Sequence, residues 1–553
     1  MCKNRNRFIV FLILFAAFPF SCEDLEELNI NPNGVDPAEA HPNLLIGTVI
    51  SETGKKVVDL GYGNIAGVMQ HTQKDGWSGA HNSYDWTPDQ DWSGYYGTLR
   101  NTEELYNKAV DMELEFHQGV ALVIKSYNFG LITDLWGDAP YSQALKGELG
   151  GGENIKPVFD SQADIYAGIL ADLDVANTLL SKSKSEYDDI SDIQDMLYQG
   201  DVSKWRMFAN SLALRYYLRL SEKDPSTAKS GIEKIVGDPD NYPIILDNQD
   251  EANLDYPGVS DADSWPSNAV FGQLKQGSYR RLKMCATLVD TLQKLNDPRL
   301  GLWANKIDIP LVVVPTPADR DDIVNGIRYV GQDIADHYEN TYGIPVDQDP
   351  EYVGLPAAWS IVPQAYNLNP NLEQAPLNPH ASHLNDRYQN ASGPLLIGRM
   401  LTAAEVRFII AEAALKGWTS ENAQLHYEAG IKESFDAWKI TGDYDDYVGE
   451  ADVAYNSTLE QIMLQKWIAS WTAAAEAWFD YRRTGLPALQ AGTIVNRDAI
   501  PLRFYYSVNE IDLNPENARA AIDNLEETAF TSPDDKNSAW SKMWLLQGTG
   551  NPW

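Results

Sequence analysis

The chain has 553 residues, 44% of them hydrophobic and 22% charged, enough to bury a large core without metal or disulfide staples. A formal net charge of −36 leaves no basic stripe to replace phosphate counterions, which excludes nucleic-acid binding and opposes adsorption to anionic lipid. Trp 16 and Tyr 28 exceed what the core needs, and rings with an apolar face and a polar handle point to a binding surface.

Lys3, Arg5 and Arg7 precede the apolar run Phe8–Phe20 and then Ser21-Cys22. The run is too short to span a bilayer and suits a secretory signal. Residues 1–21 are therefore expected to be a lipoprotein-type signal peptide, with lipid attached to Cys22. Pro19 and Phe20 depart from the usual lipobox, so an ordinary cleavage nearby is the alternative. Glu23, Asp24, Glu26 and Glu27 resemble the surface-export signal of Bacteroidota lipoproteins. The expected location is the outer membrane, lipid-anchored and exposed at the cell surface.

Apolar residues recur at helical spacing in Asn43–Val58, Gly97–Met112, Gln118–Leu135, Ser161–Ser181, Lys204–Ser221, Ser226–Val236, Cys285–Leu295, Ala403–Lys416, Ala423–Ala437 and Leu459–Tyr481. Asp160-Ser161 reads as a helix start, and Thr402 with Glu405 has capping-box spacing. Several helices pair through short connections and look like degenerate tetratricopeptide units, without a strict repeat. Residues 240–400 differ, being rich in Pro, Asn, Asp and Gly, and long ordered loops of this kind carry function. Pro310–Val314 reads as a strand, and Cys285 as a buried structural thiol on a helix. No linker divides residues 22–553, which are read as one domain.

The stretch 76–92 holds Trp77, Asn82, Tyr84, Trp86 and Trp92 among Gly, Ser and Asp, with no helical period. Flat rings beside amides and carboxylates suit a sugar, whose ring offers a C–H face and a hydroxyl edge. Trp265, Trp359 and Tyr256 in the loop-rich middle form a second set, with Trp265 expected to be exposed. The competing reading is that these rings plug loops onto the core, most plausibly for Trp92, which lies beside a helix.

Enzyme signatures fail in context. Gly61-Tyr62-Gly63-Asn64-Ile65-Ala66 fits a dinucleotide-binding spacing but follows a helix, not a strand. His380 and His383 lie in a Pro/Asn-rich loop that makes a poor zinc site, and Asp188-Asp189 and Asp443, Asp445 and Asp446 read as solvated surface rather than calcium loops. No catalytic residue, metal or cofactor is expected.

Four ordered stretches resemble the SusD/RagB family of nutrient-binding outer-membrane lipoproteins. They are Leu135-Trp136-Gly137-Asp138-Ala139-Pro140-Tyr141; Gly200-Asp201-Val202-Ser203-Lys204-Trp205 with Ala209-Asn210-Ser211-Leu212 and Arg215; Asn296-Asp297-Pro298-Arg299-Leu300; and a distributed set from Ala404-Glu405-Val406 to Asn509-Glu510. That set includes Ala411-Glu412-Ala413, Gln465-Lys466-Trp467, Glu476-Ala477-Trp478, Arg482-Arg483-Thr484-Gly485-Leu486-Pro487 and Ile500-Pro501-Leu502-Arg503. The resemblance implies a mostly α fold: four tetratricopeptide-like helix pairs, a large loop-rich subregion and minor β structure. It implies a glycan ligand, no catalysis, and a SusC-like TonB-dependent transporter as partner. The alternatives are peptide import, as in RagB-like relatives, or an enzyme acting on extracellular polysaccharide. Trp205, Trp467, Trp478, Arg482 and Arg483 are read as structural, the arginines pairing with Glu405, Glu412 or Glu476.

Overall fold

The computed structural model describes residues 41–76, 79–271, 279–315, 321–358, 364–366, 378–492 and 495–553. Residues 1–21, expected to be a signal peptide, and Cys22 lie outside them.

The longer helices are α1 Asn43–Gly61, α2 Ser93–Asp111, α3 Glu115–Trp136, α4 Gln162–Leu179, α5 Val202–Arg219, α6 Pro225–Val236, α7 Ala286–Lys294, α8 Gln332–Tyr342, α9 Ala403–Leu415, α10 Ala423–Ala437, α11 Leu459–Ala469 and α12 Ala474–Thr484. Sequential helices pack as neighbours: α2 on α3, α3 on α4, α4 on α5, α5 on α6 and α9 on α10. The fold is mostly α, as the periodicity predicts. No helix among the described residues is long and apolar enough to cross a membrane.

Local chemistry explains the ends. The Ser161 hydroxyl accepts from Asp164 N at 3.1 Å and starts α4; Thr402 accepts from Glu405 N at 3.2 Å and starts α9. Asp201 and Asp224 cap α5 and α6 in the same way. Gly137, at φ +96°, ends α3 in a conformation that a Cβ would oppose. One expectation fails. Leu459–Tyr481 is not one helix but two, because residues 470–473 leave the helix and Thr472 sits at φ +70°. The apolar period runs through the break, so pattern alone could not show it.

Close approach of helices needs small residues at their crossings. A Cβ on Gly130 of α3 would lie 1.9 Å from the Tyr216 hydroxyl of α5. That hydroxyl donates to Ser126 O at 3.2 Å, so glycine is what lets the two helices meet there.

Inside the stack, charged side chains form an interlocked ring. Arg215 of α5 takes Glu405 of α9 through both carboxylate oxygens at 2.7 Å. Arg219 holds Glu476 of α12 at 2.7 Å and faces Asp134 of α3 at 3.5 Å. Arg483 takes Glu412 and, at 2.9 Å, Asp480, while Lys466 of α11 holds Asp480 at 2.7 Å. Paired forks of this kind are what allow charge to be buried. The lysine and arginines beside Asp480 hold its carboxyl far below the usual range despite burial. This is the structural role expected of Arg483, Glu405 and Glu412. Trp205, Trp467 and Trp478 are buried with their indole N–H groups satisfied by Asp195, Met69 O and Pro501 O.

The middle region carries the β structure. β1 Thr72–Lys74 pairs antiparallel with β3 Leu282–Met284, and β2 Ala252–Asp255 with β7 Ile397–Leu401. β4 Leu311–Val314 runs parallel to β6 Ile327–Gly331, whose other edge takes β5 Asp321–Val324 antiparallel. The strand expected at 310–314 is thus present; the hairpin β5–β6 and α8 are additional. Val330, Ile334, Tyr338 and Tyr366 form a small core of their own there, separate from the main one. Cys285 is buried directly before α7, not within it, and burial pushes its thiol up to about 12.

Candidate functional site

The loop between β1 and α2 is tied down by its own polar groups. Asn82 imitates a strand partner, accepting from Lys74 N at 2.8 Å and donating to Lys74 O at 2.7 Å. The Trp86 N–H donates to Ala80 O at 3.0 Å, and its ring meets Trp478 and Phe504 edge-on at 5.6 and 5.2 Å. Trp92 sits among Tyr96, Trp136, Phe159 and Tyr506. Tyr84 is held at φ +58° and is 1% exposed. Arg281 clamps the base of the loop, donating to Asp75 O and Gly76 O at 3.1 and 3.0 Å.

These placements correct the expected role of the rings. Asn82, Tyr84, Trp86 and Trp92 are all buried, so no ring face among them is open to a ligand. Trp265, expected on the surface, is 0% exposed and wedged between Tyr62 at 5.0 Å and Tyr256 at 5.5 Å. The physical reason is common to the four rings. A polar loop pressed on a helical body needs large amphipathic anchors, and tryptophan serves that use as readily as ligand stacking. Trp77 and Trp359 lie outside the described residues. The histidines set aside as zinc ligands are engaged otherwise: His380 Nδ1 lies 2.7 Å from Ile309 O and His383 Nδ1 3.0 Å from Lys283 Nζ. Burial pushes the Lys283 amine down to about 7. Asp188, Asp189, Asp443, Asp445 and Asp446 are exposed. Among the described residues no three His, Cys, Asp or Glu side chains stand together as a metal site.

What the anchored loop presents is the first two turns of α2, Ser93-Gly94-Tyr95-Tyr96-Gly97. On one side Tyr95 lines a depression of about 260 Å³ with Lys56, Asp59, Asn64 and Phe504. On the other, Tyr96 and Gly97 line a groove of about 950 Å³ with Arg100, Asn101, Asn107 and the turn Ala144–Leu149. Together they span the range of ligand clefts, about 300–1,000 Å³. A Cβ on Gly97 would meet nothing within 4 Å, so the helix is bare where the groove begins. Asp59 and Asn64 are exposed, while Tyr95, Tyr96 and Phe504 are half-buried.

The chemistry of this face is mixed on a short length scale. Tyr95 and Phe504 offer ring surface. Asn64, Asn101 and Asn107 each offer both a donor and an acceptor. Lys56 lies 5.9 Å from the Tyr95 ring centre and donates to the Thr98 hydroxyl, which in turn reaches Glu52 at 2.9 Å. Burial lowers the Lys56 pKa against the opposing pull of Glu52 and Asp59. Burial, with Asp59 nearby, raises the Tyr95 phenol, which stays neutral at physiological pH. This face combines ring surface with neutral amides and with the charged Arg100, Glu103, Glu104, Lys146 and Glu148. Sequence reasoning missed it because the predicted helix begins at Gly97, which leaves Tyr95 and Tyr96 unassigned. The available signal was two adjacent tyrosines between glycines.

A mostly helical body with three small sheets and an open groove is the class that this architecture defines. The chain belongs to the SusD-like family whose model is described as starch-binding and associating with the outer membrane; it matches residues 35–326 and 351–507. A SusD homologue of Bacteroides fragilis is 23% identical, covers 92% of this chain and 99% of its own, and superposes with a TM-score of 0.68. A structure described as a chitin-binding protein is 21% identical over 93% of this chain and 100% of its own, with a TM-score of 0.69. A chitin-binding SusD homologue of Flavobacterium johnsoniae is 20% identical over 91% and 99%, with a TM-score of 0.66. No curated protein matches the sequence.

Proposed function

We propose that this protein is a lipid-anchored, cell-surface glycan-binding lipoprotein that hands its ligand to a SusC-like TonB-dependent transporter, and that it catalyses nothing itself. The observation that carries the ligand class is the α2 face, where Tyr95 and Phe504 stand beside Asn64 on one side and Tyr96 lines a groove with Asn101 and Asn107 on the other. Family membership supports the outer-membrane setting. Lipid on Cys22 would tether the body outside the cell, since one anchored chain holds a protein to a membrane without spanning it. Trp77 and Trp359 join the proposed ligand face, while Asn82, Tyr84, Trp86, Trp92 and Trp265 hold it in shape. Two structurally similar proteins are described as chitin-binding, which places chitin oligosaccharides first among glycans to test.

The test is calorimetric titration of the mature chain with a panel of oligosaccharides and, in parallel, a pool of peptides. Binding of a neutral oligosaccharide without release of shorter products is expected. Binding confined to peptides, or steady product release, refutes the reading.

A further inference from the structure

We propose that the small cavity beside Arg399 is a binding site for a monovalent anion of halide size, locked into the charged ring at the centre of the helical stack. The cavity measures about 30 Å³ and is lined by Arg399, Thr402, Glu405, Lys466, Ser470 and Asp480, among others. A cavity needs about 10–15 Å³ on this measure to hold one water, so there is room for an ion. Ala469, Ser470 and Ala473, around the break between α11 and α12, are also part of its lining.

The argument starts from Arg399, which is 4% exposed. Its guanidinium lies 4.4 Å from the Trp438 ring centre, and Nη1 donates to the Thr472 hydroxyl at 3.3 Å. Nε and Nη2 have no partner among the described residues. These two N–H groups form the side-on fork with which arginine takes an anion. A buried guanidinium left with an open fork beside a cavity calls for an occupant that accepts both bonds. Glu251 acts on Arg399 through charge but does not bond its open fork. Glu251 is engaged by Ala403 N at 2.9 Å and Asn253 at 2.7 Å.

The carboxylates around the cavity are already paired: Glu405 with Arg215, Glu476 with Arg219, Asp480 with Lys466 and Arg483. Of the two lining cations, Lys466 is held by Asp480, whereas Arg399 keeps its fork open. Arg482 is also short of carboxylates, but it donates to Asp134 O and Leu502 O at 2.7 Å.

Bromide is the probe. In crystals of the mature chain soaked in sodium bromide, an anomalous peak is expected within hydrogen-bonding reach of Arg399 Nε and Nη2. In solution, the melting temperature should climb and saturate as chloride replaces gluconate at constant ionic strength, because an ion that binds only the folded state stabilises it. Arg399→Met should lose both signals. Ala473→Leu, which enlarges a neutral lining residue and takes up the cavity's space, should lose the bromide peak even if the first variant does not fold. Water alone in the cavity, an empty cavity, or a chloride effect unchanged in Ala473→Leu overturns the proposal.

Discussion

Trp86 and Asn64 lie on opposite sides of the same surface and should behave oppositely. Truncating Trp86 removes a buried indole packed on Trp478 and Phe504. Trp86→Ala is expected to destabilise the fold by about 3–5 kcal/mol, read by denaturant unfolding. Asn64 is exposed and Asn101 half-buried in the groove. Asn64→Ala and Asn101→Ala should leave the melting temperature in place and weaken glycan binding roughly two- to tenfold by titration, one hydrogen bond each. If Trp86→Ala is as stable as wild type, the anchoring role assigned to the loop rings is wrong. A second residue-scale expectation concerns pH. Burial pushes the Glu251 carboxyl up to about 7 from 4.5. A folded-state pKa above the unfolded one means the folded chain holds the extra proton between those values. The resulting stabilisation is complete below pH 4.5 and fades as pH rises through 7. Glu251→Gln should abolish that slope, which is worth on the order of 3 kcal/mol by the conversion of about 1.4 kcal/mol per pKa unit. Equal slopes in variant and wild type would count against it.

Among elements, the crossing of α3 and α5 is the most demanding. A methyl group at 130 would meet the Tyr216 hydroxyl, so Gly130→Ala is expected to cost about 1–3 kcal/mol through overpacking. Adding Tyr216→Phe should restore only a small part of that loss, because the oxygen is gone but the ring carbon Cζ would still lie 2.3 Å from the methyl. Unfolding of the two single variants and the double variant closes the cycle, and strict additivity would mean the residues do not meet. The elements also show what pattern can and cannot reveal. Ten helical segments could be read because apolar residues at i, i+3 and i+4 face a buried neighbour, and Ser161 and Thr402 mark two starts plainly. The break at residues 470–473 was hidden because both flanking helices bury the same stripe. The pairing of β1 with β3 was equally silent, as three-residue strands have no period to detect. The ring-bearing loop was found correctly as a special segment but read in the wrong direction. Composition says that an indole wants one apolar contact, not whether the contact is Trp478 or a sugar.

For the whole molecule, the proposed tether makes a further claim that does not depend on the ligand. Expression of Cys22→Ala should release the body from the outer-membrane fraction with its melting temperature unchanged. Wild type should co-isolate with a β-barrel partner, and mass spectrometry of its N-terminus should find acyl chains. An unacylated N-terminus on membrane-bound protein would refute the anchor. The family resemblance was legible because its motifs are structural residues: Arg215, Glu405, Glu476 and Arg483 lock the stack together, and a buried ionic ring tolerates few substitutes. The proposed ligand face was not, because an open groove is made by what helices leave uncovered, and absence of packing has no letter in the sequence.

The separate small core around Val330, Ile334, Tyr338 and Tyr366 implies two thermodynamic tiers within one chain. Its strands and α8 share few buried apolar neighbours with the helical stack, so they can open while the ionic ring stays shut. Amide hydrogens of β4, β6 and α8 should therefore exchange by a low-energy route, well before those of α3 and α5. A protease acting under native conditions should find its first cut in that annex, leaving the larger body intact.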